Sequence, residues 1–154
     1  MRILCLGGVL LRTCCSREIE NLEVDTGLKL RVLAQNYPDT PGLAIRDYWG
    51  VDDDTIVFVA DPTLGKGGGN IININVGSDV DLYVPGRFWT QLQGKYGTKF
   101  YWTEAGEEAS IVNAVSAIDT CLREPEGPKK CTTVQGEFDE DVAPKEKKGI
   151  FGLF

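Results

Sequence analysis

The chain has 154 residues, a formal net charge of -7 and no histidine, and this length suffices for one domain with its own hydrophobic core. The acidic balance disfavours nucleic acid as a partner, because the phosphate backbone would be repelled. Without histidine there is no Ser-His-Asp or Cys-His triad and no histidine-ligated zinc site. The sequence also lacks an apolar run of about 18 residues that would predict a transmembrane helix.

The first 15 residues, MRILCLGGVLLRTCC, form a head that the sequence leaves open. Its apolar run after a single arginine is compatible with the remnant of a signal or transit segment. It is equally compatible with an N-terminal strand, or with a stretch that is not native. The predicted domain therefore begins at Ser16, after this head.

A helix and a strand open the predicted domain. The helix begins at Ser16, a suitable N-cap, and ends at Gly27, a residue that suits a helix C-terminus. The segment Leu28–Gln35 alternates apolar and polar residues before it becomes apolar, which predicts a strand. A short helix follows and ends at Gly50, with Tyr48 facing inward.

Two strands with different surroundings come next. Thr55–Ala60 carries five consecutive apolar residues, which predicts a strand covered on both faces. Ile71–Val76 alternates isoleucine with asparagine, so one face is apolar and the face with Asn73 and Asn75 is polar. That alternation is typical of a strand near the edge of a sheet.

The glycine-rich loop between these strands, DPTLGKGGGN, invites comparison with a phosphate-binding loop. A Walker A loop needs Gly-Lys followed by Ser or Thr and then a helix. Lys66 is followed by Gly67, and the next element is a strand. The loop is therefore predicted to be a hairpin linker rather than a nucleotide site.

The remaining helical segments complete the domain. A helix is predicted after Pro85, and the aromatic stretch YGTKFYWTEAG reads as a connection. The final helix, Glu107–Arg123, has an apolar stripe at the spacing of a buried helix face, formed by Ile111, Val115, Ile118 and Leu122. Helices that alternate with a buried sheet predict an α/β layered domain over residues 16–123. Residues 124–154 are predicted to form a flexible, charged tail.

Four aspartates are candidate metal ligands. Asp52, Asp53 and Asp54 are adjacent, and carboxylate oxygens are the ligands that Ca²⁺ and Mg²⁺ prefer. No EF-hand spacing follows, so a solvated acidic turn is the alternative interpretation. Asp61 follows a buried strand, where sites form in α/β sheets, although Asp61-Pro62 also suits the start of a turn.

Cys121 and Cys131 are separated by a Pro- and Gly-rich segment in which the chain can turn back. A disulfide between them would require an oxidising compartment. Two free thiols are the alternative that this pattern leaves open.

Taken in order, four segments resemble the TPM domain. They are LEVDTGLKLRVLAQ, YWGVDDDTIVFVADP, IININVG and FYWTEAGEEASIVNAVSAIDTCL, and the resemblance extends over about residues 19–122. The resemblance implies a layered sandwich with a mixed central sheet flanked by helices. Residues 33–63 further resemble small thylakoid-lumen proteins of plants and algae. That likeness implies a location in the chloroplast thylakoid lumen, peripheral to the membrane, and a disulfide between Cys121 and Cys131 fits this setting.

The family resemblance also implies a function near the photosystems. Lumenal TPM proteins are linked to photosystem II assembly and repair, and acid phosphatase activity is ascribed to some. We therefore expect a non-enzymatic auxiliary protein or peripheral subunit that contacts a photosystem complex on its lumenal side. The alternative is a metal-assisted phosphatase in which Ca²⁺ or Mg²⁺ is held by Asp52, Asp53, Asp54 or Asp61. The family's acidic N-terminal motif has no counterpart in residues 1–15, which weakens an inherited metal site.

The segment APKEKKGIFGLF ends the sequence with lysines followed by four apolar side chains. One interpretation is a disordered end. The other is a docking peptide, in which the apolar residues enter a groove on a membrane complex while the lysines meet an acidic surface. The docking residues would be Ile150, Phe151, Leu153 and Phe154.

Overall fold

The structure is a computed structural model that describes residues 9–34 and 44–134. Helices alternate with three strands and one short 3₁₀ turn. In chain order the elements are α1 (Val9–Thr26), β1 (Lys29–Ala34), α2 (Ala44–Trp49), β2 (Thr55–Ala60), a 3₁₀ turn (Leu64–Gly67), β3 (Ile72–Val76), α3 (Ser78–Tyr83), α4 (Gly86–Tyr96), α5 (Lys99–Ala105) and α6 (Glu107–Arg123).

The three strands form one mixed sheet in the order β1-β2-β3. β1 runs parallel to β2, with Lys29 opposite Thr55, and β3 runs antiparallel to β2, with Val76 opposite Ile56. The α/β class and the mixed sheet predicted for this chain are therefore confirmed. The bounds of β2 agree with the predicted strand, and its central position explains why it is apolar on both faces.

The strand register places apolar side chains in rows across the inner face of the sheet. One row contains Val32, Phe58 and Ile74, because Phe58 pairs with both neighbours. The side chains of this face pack into a single core with residues of α1, α4 and α6. The largest fully buried helix side chains in that core are Ile19, Leu22, Phe88, Leu92, Tyr96, Ile111 and Ile118.

The opposite face of the sheet becomes polar at its β3 edge. The register places Arg31, Val57 and Asn75 in one row across the three strands. Asn73 and Asn75 are exposed, whereas Arg31 and Val57 are buried. The prediction of an edge strand with one polar face is confirmed.

Helix α6 is the element that the sequence pattern defined best, and its bounds agree with the prediction. All four residues of the predicted stripe are buried, as are Ala114 and Ala117. The C-terminal ends of α1 and α6 are joined by Arg123, whose guanidinium contacts Asp25 at 2.6 Å and Asp119 at 2.8 Å. The last helix therefore packs beside the first.

Several local predictions were wrong. The first helix begins at Val9 rather than Ser16. The aromatic connection contains helix α5, in which Thr98 acts as N-cap by accepting a hydrogen bond from the backbone N–H of Tyr101. Tyr48 is exposed instead of facing inward. Helix α3 was not predicted at all.

The glycine loop closes the hairpin between β2 and β3. The backbone N–H of Asp61 donates to the carbonyl of Ile71 at 2.9 Å, which brings the two ends of the loop together. A 3₁₀ turn at Leu64–Gly67 takes up the intervening residues. The interpretation of this loop as a hairpin linker is confirmed.

Cys121 and Cys131 form the predicted disulfide. Their Cα atoms are 4.9 Å apart, and both residues are buried. The backbone N–H of Cys131 also donates to the carboxylate of Glu124 at 2.7 Å. The bridge thus holds the segment after α6 against the domain as far as Val134, whose carbonyl accepts a hydrogen bond from Lys95.

We expect Gly77→Ala to destabilise the fold. A Cβ atom at this position would lie 2.1 Å from the carbonyl oxygen of Asp53, and such overpacking costs about 1–3 kcal/mol. Gly94→Ala is the matched control, because its Cβ position in α4 has no atom within 4 Å other than its neighbours in the chain and the backbone of its own helix, and alanine favours a helix by about 0.5–1 kcal/mol. Urea unfolding of both variants measures the difference, and equal stabilities would contradict the close approach at Gly77.

Replacing both bridging cysteines with serine is expected to destabilise the oxidised protein. By the chain-entropy estimate, a loop of this length contributes about 2.5–3 kcal/mol. Mass spectrometry of a non-reduced digest should first show the peptides of Cys121 and Cys131 joined. Free thiols that react with an alkylating agent at both positions of the oxidised protein would refute the bridge.

Candidate functional site

Carboxylates gather at the end of the sheet where β1 and β2 begin. We call this region the acidic end. It receives residues from the end of α1, from the turn before β2 and from α3, and its carboxylates belong to Asp25, Asp52, Asp53, Asp54, Asp79 and Asp81.

Backbone hydrogen bonds hold the acidic end together. Lys29 at the start of β1 donates its N–H to the carbonyl of Asp54 at 3.0 Å. Asp79 at the start of α3 donates to the carbonyl of Asp53 at 3.1 Å, and Gly77 donates to Thr55 at 2.9 Å. The absence of a side chain at Gly77 lets the chain after β3 approach the turn this closely.

Asp52 has a structural role in this turn. Its carboxylate accepts hydrogen bonds from the Lys29 ammonium at 2.6 Å and from the Thr55 hydroxyl at 2.7 Å. The backbone N–H of Asp54 adds a third, at 3.2 Å. These donors favour the ionised form and lower the pKa of Asp52 to about 2, with the Lys29 hydrogen bond as the largest cause.

Asp79 experiences the opposite effect. Partial loss of hydration raises the pKa of its carboxyl, and the negative charges of Asp54 and Asp53 raise it further. A side-chain hydrogen bond with Asp54 contributes in the same direction. Lys29 is paired with Asp52, so its charge is not available to offset that of the neighbouring carboxylates. These carboxylates repel one another, and a cationic group from another molecule would relieve the repulsion.

Asp61 lies at the other end of β2. The six-residue strand β2 separates it from the acidic turn, a distance of about 20 Å at the usual rise of a strand. Asp61 is 3% exposed, and its carboxylate accepts hydrogen bonds from the N–H and the hydroxyl of Thr63. The structure therefore does not bring Asp61 together with Asp52, Asp53 and Asp54.

The other predicted site residues divide between the described and undescribed parts of the chain. Within residues 9–34 and 44–134, no group of three or more acidic or cysteine side chains is placed to hold one metal ion. Cys121 and Cys131 are bonded to each other. The proposed docking residues Ile150, Phe151, Leu153 and Phe154 lie outside the described residues.

Sequence reasoning missed the apolar side of the acidic end. Helix α3 exposes Leu82 and Tyr83, although it is anchored by Val80 and Val84, which are buried. The spacing of four residues between the two valines is the signal that could have predicted this helix.

The comparisons with known proteins give a relative and a structural neighbour. No family model matches the chain. Over 120 residues the chain is 64% identical to "Thylakoid lumenal 15.0 kDa protein 2, chloroplastic" of Arabidopsis thaliana. The alignment covers 78% of the chain but 52% of the relative, so the chain spans about half the relative's length.

The structural neighbour supports the fold alone. It is the NMR structure of the BA42 protein from the psychrophilic bacterium Bizionia argentinensis, with a TM-score of 0.58 over 84% of this chain and 91% of that chain. The two sequences are 10% identical.

The relative's name agrees with the predicted location, the chloroplast thylakoid lumen, which is thereby confirmed. No helix in the described part of the chain has both the length and the apolar composition that a membrane crossing requires.

Removing the Lys29 ammonium is expected to raise the pKa of Asp52 above its value of about 2. The pKa of folded Asp52 is below its ordinary value of 3.8. The ionised Asp52 carboxylate therefore contributes its full stabilisation of the fold above pH 3.8, and this contribution is lost as the pH falls toward 2. A carbon-detected NMR titration of the Asp52 carboxyl in Lys29→Met measures the change. Lys66→Met, in the loop at the other end of β2, should leave this titration unchanged. An unaltered Asp52 titration in Lys29→Met would contradict the assigned cause.

Proposed function

We propose that this protein is a non-enzymatic auxiliary factor or peripheral subunit that binds a photosystem complex on its lumenal side, with photosystem II favoured. The observation that carries the proposal is the 64% identity to a chloroplast thylakoid lumenal protein. The photosystem is suggested by the TPM resemblance of residues 19–122.

The features of the described domain suit a binding protein. The disulfide between Cys121 and Cys131 suits an oxidising compartment. Exposed apolar side chains on helix α3, Leu82 and Tyr83, provide contact surface on a folded core.

The metal-assisted phosphatase receives less support from this geometry. Such a mechanism needs carboxylates that converge on one ion, but Asp61 is a strand length away from the acidic turn. Asp52 is also engaged by Lys29 and Thr55 in holding that turn. Hydrolysis of a chromogenic phosphate ester that depends on Ca²⁺ or Mg²⁺, and that Asp53→Asn/Asp54→Asn abolishes, would revive the alternative.

The segment Gly149–Phe154 supplies a second element of the proposal. Burying two phenylalanines, an isoleucine and a leucine would contribute about 6–12 kcal/mol before the cost of ordering the segment. Ordering removes about 2–5 kcal/mol of this. The remainder is enough for an anchor, and Lys145, Lys147 and Lys148 would make it sensitive to salt.

Deleting Gly149–Phe154 is expected to abolish association with thylakoid membranes without changing the thermal unfolding of the domain. Sedimentation of purified protein with inside-out thylakoid vesicles, which expose the lumenal surface, measures association. The matched control, Phe151→Leu/Phe154→Leu, keeps the segment apolar and should retain most of the binding. Undiminished sedimentation of the deletion variant would refute the anchor, whereas failure of the parent protein to sediment would refute the proposed function itself.

A further inference from the structure

Helix α3 is fixed to the core but exposes large apolar side chains. Val80 and Val84 are 0% and 1% exposed, so they anchor the segment from inside. Leu82 is 80% exposed and Tyr83 is 49% exposed. Leu82 and Tyr83 are therefore exposed on a helix that is fixed to the core. Two adjacent apolar side chains of this kind form a contact surface that gains free energy when a partner covers it.

The surroundings of these side chains are acidic. Asp79 and Asp81 belong to the same short helix, and the Asp79 N–H bonded to the Asp53 carbonyl fixes α3 against the acidic turn. Asp53, Asp79 and Asp81 are all exposed.

Two of the basic side chains at this end are already engaged. The Lys29 ammonium lies 2.6 Å from the Asp52 carboxylate. The Arg123 guanidinium contacts both Asp25 and Asp119. Among the described residues, the three exposed carboxylates of Asp53, Asp79 and Asp81 thus outnumber the one exposed guanidinium that follows Tyr83 closely in the sequence, that of Arg87.

We propose that Leu82 and Tyr83, together with Asp53, Asp79 and Asp81, form a docking surface for a basic segment of a partner polypeptide that carries an apolar side chain. We call it the α3 surface. The inference rests on the proposed binding function and names the chemistry of its partner. Arginine and lysine side chains would pair with the crowded carboxylates, while the partner's apolar side chain covers Leu82 and Tyr83.

Charge complementarity selects this occupant over others. Anionic lipid headgroups and nucleic-acid phosphates would be repelled by the acidic end. In a symmetric dimer through this surface, each copy would face an identical acidic patch. A divalent cation alone would bind carboxylates and leave the exposed Leu82 and Tyr83 unused.

The test uses the full chain and a short synthetic peptide in which arginine and leucine alternate, labelled for fluorescence anisotropy. Leu82→Ser/Tyr83→Ser removes the apolar contact, and Asp53→Asn/Asp79→Asn/Asp81→Asn removes the charge. We expect each variant to bind the peptide more weakly by about tenfold or more. Raising the salt concentration should weaken binding of the parent protein.

Two controls match these changes at other places on the domain. Phe100→Ser removes an aromatic side chain that is 71% exposed on α5. Glu104→Gln/Glu107→Gln/Glu126→Gln removes three exposed carboxylates. Both controls should bind the peptide with an affinity within about twofold of the parent's, because they leave the α3 surface unchanged. A twofold difference in affinity is well below the expected tenfold loss, which corresponds to about 1.4 kcal/mol. Amide NMR shifts caused by the peptide should be concentrated in α3 and residues 52–54.

Several outcomes would overturn the inference. If Leu82→Ser/Tyr83→Ser binds the peptide as the parent does, or if the controls lose as much affinity as the test variants, the α3 surface is not the binding site. Dependence of binding to phosphatidylglycerol vesicles on Leu82 and Tyr83 would identify a membrane contact instead. A dimer of the parent that the same change dissociates would identify a second copy of the chain as the occupant.

Thylakoid sedimentation separates failure of this inference from failure of the proposed function. If the parent protein sediments and binds the peptide while both α3 variants do the same, the α3 surface is refuted and the function stands. If the parent binds the peptide through α3 but does not sediment with thylakoids, the surface stands and the photosystem partner is refuted.

Discussion

Strand β2 is buried along almost its whole length, so its backbone hydrogen-bonding groups must find partners in the strands on either side. This requirement fixes two different connections. A crossover brings β1 alongside in parallel, and the glycine loop returns β3 in the antiparallel direction. The acidic end follows from the same arrangement, because the Asp54 carbonyl accepts from Lys29 where the two parallel strands begin. The aspartates of this turn cannot separate to reduce their charge repulsion unless the hydrogen bonds at the start of the sheet break.

Sequence patterns predicted the elements whose burial is periodic along the chain. β2 and α6 were obtained with the observed bounds, because one is a continuous apolar run and the other has a long stripe at helical spacing. α5 was missed because its aromatic residues have no helical preference that stands out. Helix α5 is held by contacts with a distant part of the chain, which a local pattern does not show. The Tyr101 hydroxyl accepts a hydrogen bond from the Asn113 side chain of α6 at 2.9 Å. α3 has only six residues, too few for the four-residue spacing of Val80 and Val84 to repeat.

The composition of the candidate site was visible in the sequence, but its geometry was not. The run Asp52–Asp54 indicated a local concentration of charge. Nothing in the pattern indicated that Asp79 would join it, because this depends on the close approach of Gly77 to the Asp53 carbonyl. Asp61 was considered as a companion to that run, and the length of β2 places it at the opposite end of the sheet. The disulfide was predicted with two free thiols as its alternative, since spacing alone does not show whether two thiols meet.

The packing of α1 against α6 has a consequence for when the fold can form. These are the first and last helices of the described chain, and the contact between Arg123 and Asp25 spans 98 positions. A chain that emerges from its N-terminus first, whether from a ribosome or through a membrane pore, therefore cannot complete its core until nearly all of the domain has passed. Until then Ile19 and Leu22 lack part of their partners. A chain delivered in this direction would thus stay unfolded while it passes through the pore, and its core would form only at the end of the passage.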